Sequence, residues 1–155
     1  MTQDDFKLLK ALRSELQFVE SGGYKRSERT PWRAPFIFED SPICVNHGSA
    51  VREHPCHECL LIKFVLEARK HEASPCQFVP LTEASKNIHL LYRYGTEVQL
   101  EEALTAWLRR QIGEIEAELA KAAKFLAERT PIARMLPGFT SSHESKQSRS
   151  GSRES

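Results

Sequence analysis

Residues 44–76 read CVNHGSAVREHPCHECLLIKFVLEARKHEASPC and contain all four cysteines of a 155-residue chain. Thiols placed at random would spread along the whole length, so their confinement to the spacing C-x11-C-x2-C-x16-C is informative. Cys56-His57-Glu58-Cys59 is the tight member of the set. Two thiolates separated by two residues reach one ion from a single turn, and folding brings in the distant pair, Cys44 and Cys76. The spacing therefore predicts a metal site built from Cys44, Cys56, Cys59 and Cys76, with Zn2+ as the ion. His47, the end of a second short pair Cys44-Val45-Asn46-His47, is the substitute donor for Cys44 or Cys76. An iron–sulfur cluster on the same four cysteines is the alternative cofactor, although the spacing matches neither common ferredoxin run. A redox dithiol at C-x-x-C needs a buried strand ahead of it, and Arg52-Glu53-His54-Pro55 is too polar for one.

Immediately after Cys59, Leu60 to Leu66 is apolar and is expected to be a helix. Cys56 and Cys59 would then lie at its amino end, where unpaired N–H groups favour thiolate. Arg52, Lys63 and Arg69 are close enough in sequence to offset the charge of four thiolates.

Upstream of the cysteines, residues 24–40 (YKRSERTPWRAPFIFED) hold Pro31 and Pro35, which remove backbone donors and push the preceding residues toward extended geometry. An extended arm is expected, with Phe36 to Phe38 as a short strand. Here Lys25, Arg26, Arg29 and Arg33 alternate with Trp32 and two other aromatics. Such interleaving can hold phosphates while rings stack on bases, and it is the one nucleic-acid signal in the chain. Its competing reading is structural, with the aromatics anchored in the core and the arginines in water. A formal net charge of +1 favours that second reading, because it lacks the positive excess that phosphate-backbone binding uses.

Helices are expected to flank this centre. Thr2 or Asp4 can cap a first helix with Phe6, Leu9, Leu12, Leu16 and Val19 at helical spacing, ended by Ser21-Gly22-Gly23. Asn87 to Tyr94 is ambiguous between strand and packed loop, and Gly95 breaks it. Thr96 and Gln99 form a capping box for a long helix that reaches about Arg129, where Pro131 stops it. Leu108, Ile112, Ile115, Leu119, Ala122 and Leu126 draw a narrow apolar stripe along that helix, suited to internal packing or to pairing with a second copy.

The expected organisation is an N-terminal helix (1–23), an arm and Cys-rich metal-binding module (24–95), a long C-terminal helix (96–130) and a disordered serine-rich tail (131–155), with 1–130 as one domain. The expected fold class is mainly α, with a small metal-knuckle module (α+β, few short strands) on which both helices pack. The residues show no nucleophile paired with a base, no phosphate-binding glycine loop and no recognisable carboxylate pair. The expected function is accordingly a non-enzymatic, zinc-stabilised interaction or adaptor protein, with an iron–sulfur electron-transfer or redox-sensing protein as the alternative. A protein partner, or self, would bind through the 96–130 helix. Met1 to Lys10 has no secretory apolar core, and the apolar run Leu60 to Leu66 is broken by Lys63, so a cytoplasmic protein with no membrane partner is expected.

Overall fold

The computed structural model describes residues 2–129. The expected tail, 131–155, lies outside them. Three α-helices carry the described chain: α1 (Gln3–Glu20), α2 (Ile88–Tyr94) and α3 (Glu97–Arg129). Between α1 and α2 there is neither an α-helix nor a strand ladder, only turns and four short 3-10 helices, Cys56–Glu58, Leu60–Phe64, Glu67–Arg69 and Pro75–Phe78. The molecule is therefore mainly helical with almost no β structure. Its sole β feature among the described residues is an isolated antiparallel bridge between Pro80 and Asn87.

Local chemistry sets the helix ends. Thr2 N donates to Asp5 Oδ2 at 3.1 Å, which closes a capping box on α1. Gly22, at φ 79°, takes the left-handed position just past its end, where a side chain would be strained. Thr96 and Gln99 cap α3 reciprocally, at 2.9 and 3.1 Å.

α1 and α3 run antiparallel. Arg13 pairs with Glu116, and Arg109 with Glu20 at 2.8 Å, so the start of one helix lies beside the end of the other. Both pairs are exposed and worth at most about 1 kcal/mol each; the packing comes from the buried apolar faces of the two helices, Leu8, Leu9, Leu12 and Val19 on α1 and Leu104, Leu108 and Ile112 on α3. Ile115 and Leu119 also pack on this core while half-buried, so of the α3 stripe only Leu108 and Ile112 are fully buried and Leu126 is exposed. Trp107 ties the irregular middle segment to α3. Its ring meets Phe64 at 5.0 Å and Phe38 at 5.9 Å, both edge to face.

Three expectations change here. Phe36 to Phe38 is a turn and not a strand, because Asp40 N bonds Phe36 O at 2.9 Å, Asp40 Oδ2 accepts from Phe36 N at 2.6 Å, and Phe38 has φ 66°. Leu60 to Leu66 is a 3-10 helix over Leu60–Phe64, since Cys59 enters it in an extended conformation and bonds step three residues, from Ile62 N to Cys59 O and from Val65 N to Ile62 O. Asn87 to Tyr94 is the helix α2, because the Asn87 side chain accepts from Leu90 N at 2.9 Å and caps it.

With no ladder to satisfy it, the backbone of residues 35–41 is held by side chains. Tyr92 Oη donates to Pro35 O at 2.9 Å and accepts from Ile37 N at 2.7 Å, while Gln77 Nε2 donates to Ile37 O at 3.1 Å. Tyr24 Oη accepts from Phe38 N at 2.8 Å and donates to Glu15, a carboxylate only 1% exposed on α1. Ser41 Oγ donates to the other Glu15 oxygen at 2.7 Å. Burial raises the Glu15 pKa above its ordinary 4.5, opposed by the Tyr24 and Ser41 hydrogen bonds and by His47.

Candidate functional site

Each cysteine comes from a different local device. Cys44 follows the 36–41 turn and bonds through its N–H to Ser41 O at 3.1 Å. Cys56 opens the Cys56–Glu58 turn, Cys59 leads into Leu60–Phe64, and Cys76 lies in Pro75–Phe78. Folding brings all four to the wall of one cavity of about 240 Å³ that Arg33, Glu39, Asp40 and Arg52 also line. All four are half-buried, and no two form a disulfide.

The thiols feel one another. Burial raises the pKa of Cys59 first, and the neighbouring Cys44 and Cys56 raise it further. Cys76 is pushed well up by burial, then by Glu39 and by the other three cysteines. Cys59 and Cys76 are thus held as neutral thiols near pH 7 unless a cation joins them.

Composition and arrangement give different answers on the metal. The donor set, four thiols from three stretches of chain on one cavity, is that of a closed tetrahedral site. As the side chains stand, however, no group of three or more His, Cys, Asp or Glu residues among the described residues is arranged to hold a metal ion.

His47, the substitute donor, is exposed and lies outside the cavity wall. His54, His57 and His71 line a separate outer depression with Cys56. Of the three cations expected near the thiols, Lys63 faces Asp5 at 3.8 Å and Arg69 pairs with Glu72 at 2.7 Å. Only Arg52 reaches the site: its Nη1 stands 3.9 Å from Cys56 Sγ and donates to Ala73 O at 2.7 Å, while Nη2 donates to Ser74 Oγ at 3.1 Å and faces Glu39 at 3.4 Å. Arg52 therefore pins the Cys56 turn to the chain entering Cys76.

Glu39 and Asp40 were not foreseen as part of this wall. The only signal in the sequence was their position just ahead of Ser41-Pro42 and Cys44, and no motif marks it.

Comparison of the chain with protein-family models, with curated proteins and with solved structures gave no match. None of the helices among the described residues is long and apolar enough to cross a membrane.

Proposed function

We propose that the chain is a non-enzymatic interaction or adaptor protein whose irregular middle is fastened by Zn2+ on Cys44, Cys56, Cys59 and Cys76. The observation that carries this reading is the convergence of all four cysteines on one cavity wall. It is supported by the length of chain around them that folds without an α-helix or a ladder, since long structureless connections in compact domains are generally functional or externally held. The ion would hold all four sulfurs as thiolates, releasing the protons of the crowded Cys59 and Cys76 as it binds. Loading requires the sulfurs to close on the cavity between them, because although all four line it, no three stand close enough together to hold one ion. Arg52 would supply positive charge beside Cys56. The surfaces left for a partner are the arm around Trp32 and the outward face of α3.

Protein purified without oxygen and assayed for metals is expected to be colourless, to contain about one zinc per chain, and to release it to a chelator with loss of thermal stability. Cys56→Ser with Cys59→Ser should lose the metal and melt lower. Broad visible absorption would transfer the site to an iron–sulfur cluster. Metal-free protein whose melting is unchanged by the double substitution would end both readings.

A further inference from the structure

Beside the cysteine cavity, and sharing Arg33, Phe36 and Glu39 with it, a wider groove of about 810 Å³ opens between the arm and α2. Trp32 stands on its arm side and is 77% exposed, against the expectation that the arm's aromatics anchor in the core. Its backbone is nevertheless fixed. Arg33 N bonds Thr30 O at 3.0 Å, and Arg26 clamps the preceding residue by donating to Pro31 O at 3.0 Å while its Nε holds Glu97 at 2.9 Å. An indole that packs on little is thus presented from a tethered turn. Opposite it stand His89, Tyr92 and Arg93 of α2. His89 lies flat on Phe78, with ring centroids 5.4 Å apart.

The charges of the groove are unequal in a way the whole-chain balance hides. Its one acid, Glu39, is already engaged, facing Arg52 at 3.4 Å, and Asp40, on the wall of the neighbouring cysteine cavity, accepts from Phe36 N at 2.6 Å. Its cations are less so. Arg33 has a long contact with Asp40 at 3.6 Å and lies 5.8 Å from the Phe36 ring, and Arg93 has no carboxylate partner among the described residues, its guanidinium lying 6.0 Å from the Tyr94 ring. Arg26, one of the basic residues the sequence assigned to phosphate contact, is consumed by Glu97. Arg93 on α2 takes its place.

We propose that this groove binds single-stranded nucleic acid, with a base stacked on Trp32 and the flanking phosphates at Arg33 and Arg93. A flat aromatic face beside two under-paired guanidinium groups complements a base and its backbone. Duplexes are excluded because their bases already stack on each other and cannot lie on an indole. An acidic peptide would satisfy the arginines but offers no planar group to cover Trp32. The inference names a partner for the interaction reading above and uses none of the metal chemistry.

The test uses the full chain, with its metal content recorded on the same samples. The probes are a fluorescein-labelled ten-nucleotide RNA of mixed sequence, the matching single-stranded DNA, the corresponding DNA duplex, and a labelled octaglutamate. Binding is read by anisotropy and by quenching of tryptophan emission, which reports Trp32 because Trp107 is only 2% exposed. The single strands should bind and quench, with a log–log salt slope of about −1.4 for two phosphates. Trp32→Ala should weaken binding about tenfold or more, and Arg93→Gln should bring the slope to about −0.7. Both side chains are exposed, so an unchanged urea midpoint confirms that each variant folds. The proposal is overturned if the single strands do not bind at low salt, if duplex or octaglutamate binds as tightly, or if neither substitution alters affinity. Single-strand binding by samples that hold no metal counts against the metal reading alone.

Discussion

Removing one oxygen atom from Tyr24 tests how the arm is held to α1. In Tyr24→Phe, Glu15 loses the donor on one carboxylate oxygen, and the Phe38 N–H, bonded to the hydroxyl at 2.8 Å, loses its acceptor. A hydrogen bond to a charged group contributes about 1.5–3 kcal/mol, and a buried amide left unsatisfied costs about 1–3 kcal/mol. The lower ends sum to about 2.5 kcal/mol near pH 7.5, a loss of about 1.3–1.7 M in the urea midpoint for a chain of this size. The penalty should also depend on pH, with a definite sign. Burial raises the folded-state pKa of Glu15 above its ordinary 4.5, so the associated stability is full below the unfolded value and is lost as pH rises through the folded value. The Tyr24 hydrogen bond lowers that pKa, and removing it raises the pKa further. Stability of the variant should therefore fall more steeply between about pH 4.5 and neutrality, and the gap to the parent should widen with rising pH by about 1–2 kcal/mol as a neutral bond becomes a charged one. Urea titrations of both proteins at several pH values measure this, since differences at each pH cancel every group that titrates alike in the two. A penalty below about 1 kcal/mol, or one that is equal at pH 5 and pH 8, would refute the reasoning.

Two further substitutions probe the surroundings of the cavity and the turn before α3. Arg52→Gln removes the bonds to Ala73 O and Ser74 Oγ; with the guanidinium half-exposed, the expected loss is about 1–2 kcal/mol, read as a fall of roughly 5 °C in Tm. Gly95→Ala places a Cβ 2.8 Å from Leu91 O, a backbone atom of α2 that cannot swing aside, so about 1–3 kcal/mol of destabilisation should appear in the same melt. No change in either variant would contradict the contacts from which it is argued.

The legible parts of the fold were those whose signal is local. Thr2 before α1, Gly22 after it, and the Thr96/Gln99 pair ahead of α3 each act within a few residues, and the structure has all three. The gathering of the cysteines into one wall was legible for a different reason, that thiols are scarce and their clustering stands out. What failed were segments whose shape depends on distant partners. Phe36 to Phe38 has strand-like composition, but Tyr24, Asp40 and Tyr92 bend it into a turn. On α1 the buried face is Leu8, Leu9, Leu12, Glu15 and Val19, while Phe6 is 53% exposed. A carboxylate at a buried stripe position was the available clue, and its meaning depends on Tyr24 and Ser41, which no periodicity reveals. Trp32 failed likewise: aromatic residues are expected inside, and only the fold shows that this one has no core to enter.

The side chains that hold residues 35–41 carry a consequence for how freely this sequence can vary. A ladder of N–H and C=O groups is indifferent to what hangs from it, so strands drift in sequence and keep their shape. Here the two polar groups of Ile37 depend on Tyr92 and Gln77, the N–H of Phe38 on Tyr24, and both groups of His54 on Asn46. In this part of the chain a single codon change removes backbone pairing along with a side chain. Tolerance to mutation is therefore spread unevenly over the molecule, wide on the outer face of α3 and narrow around the cysteine wall.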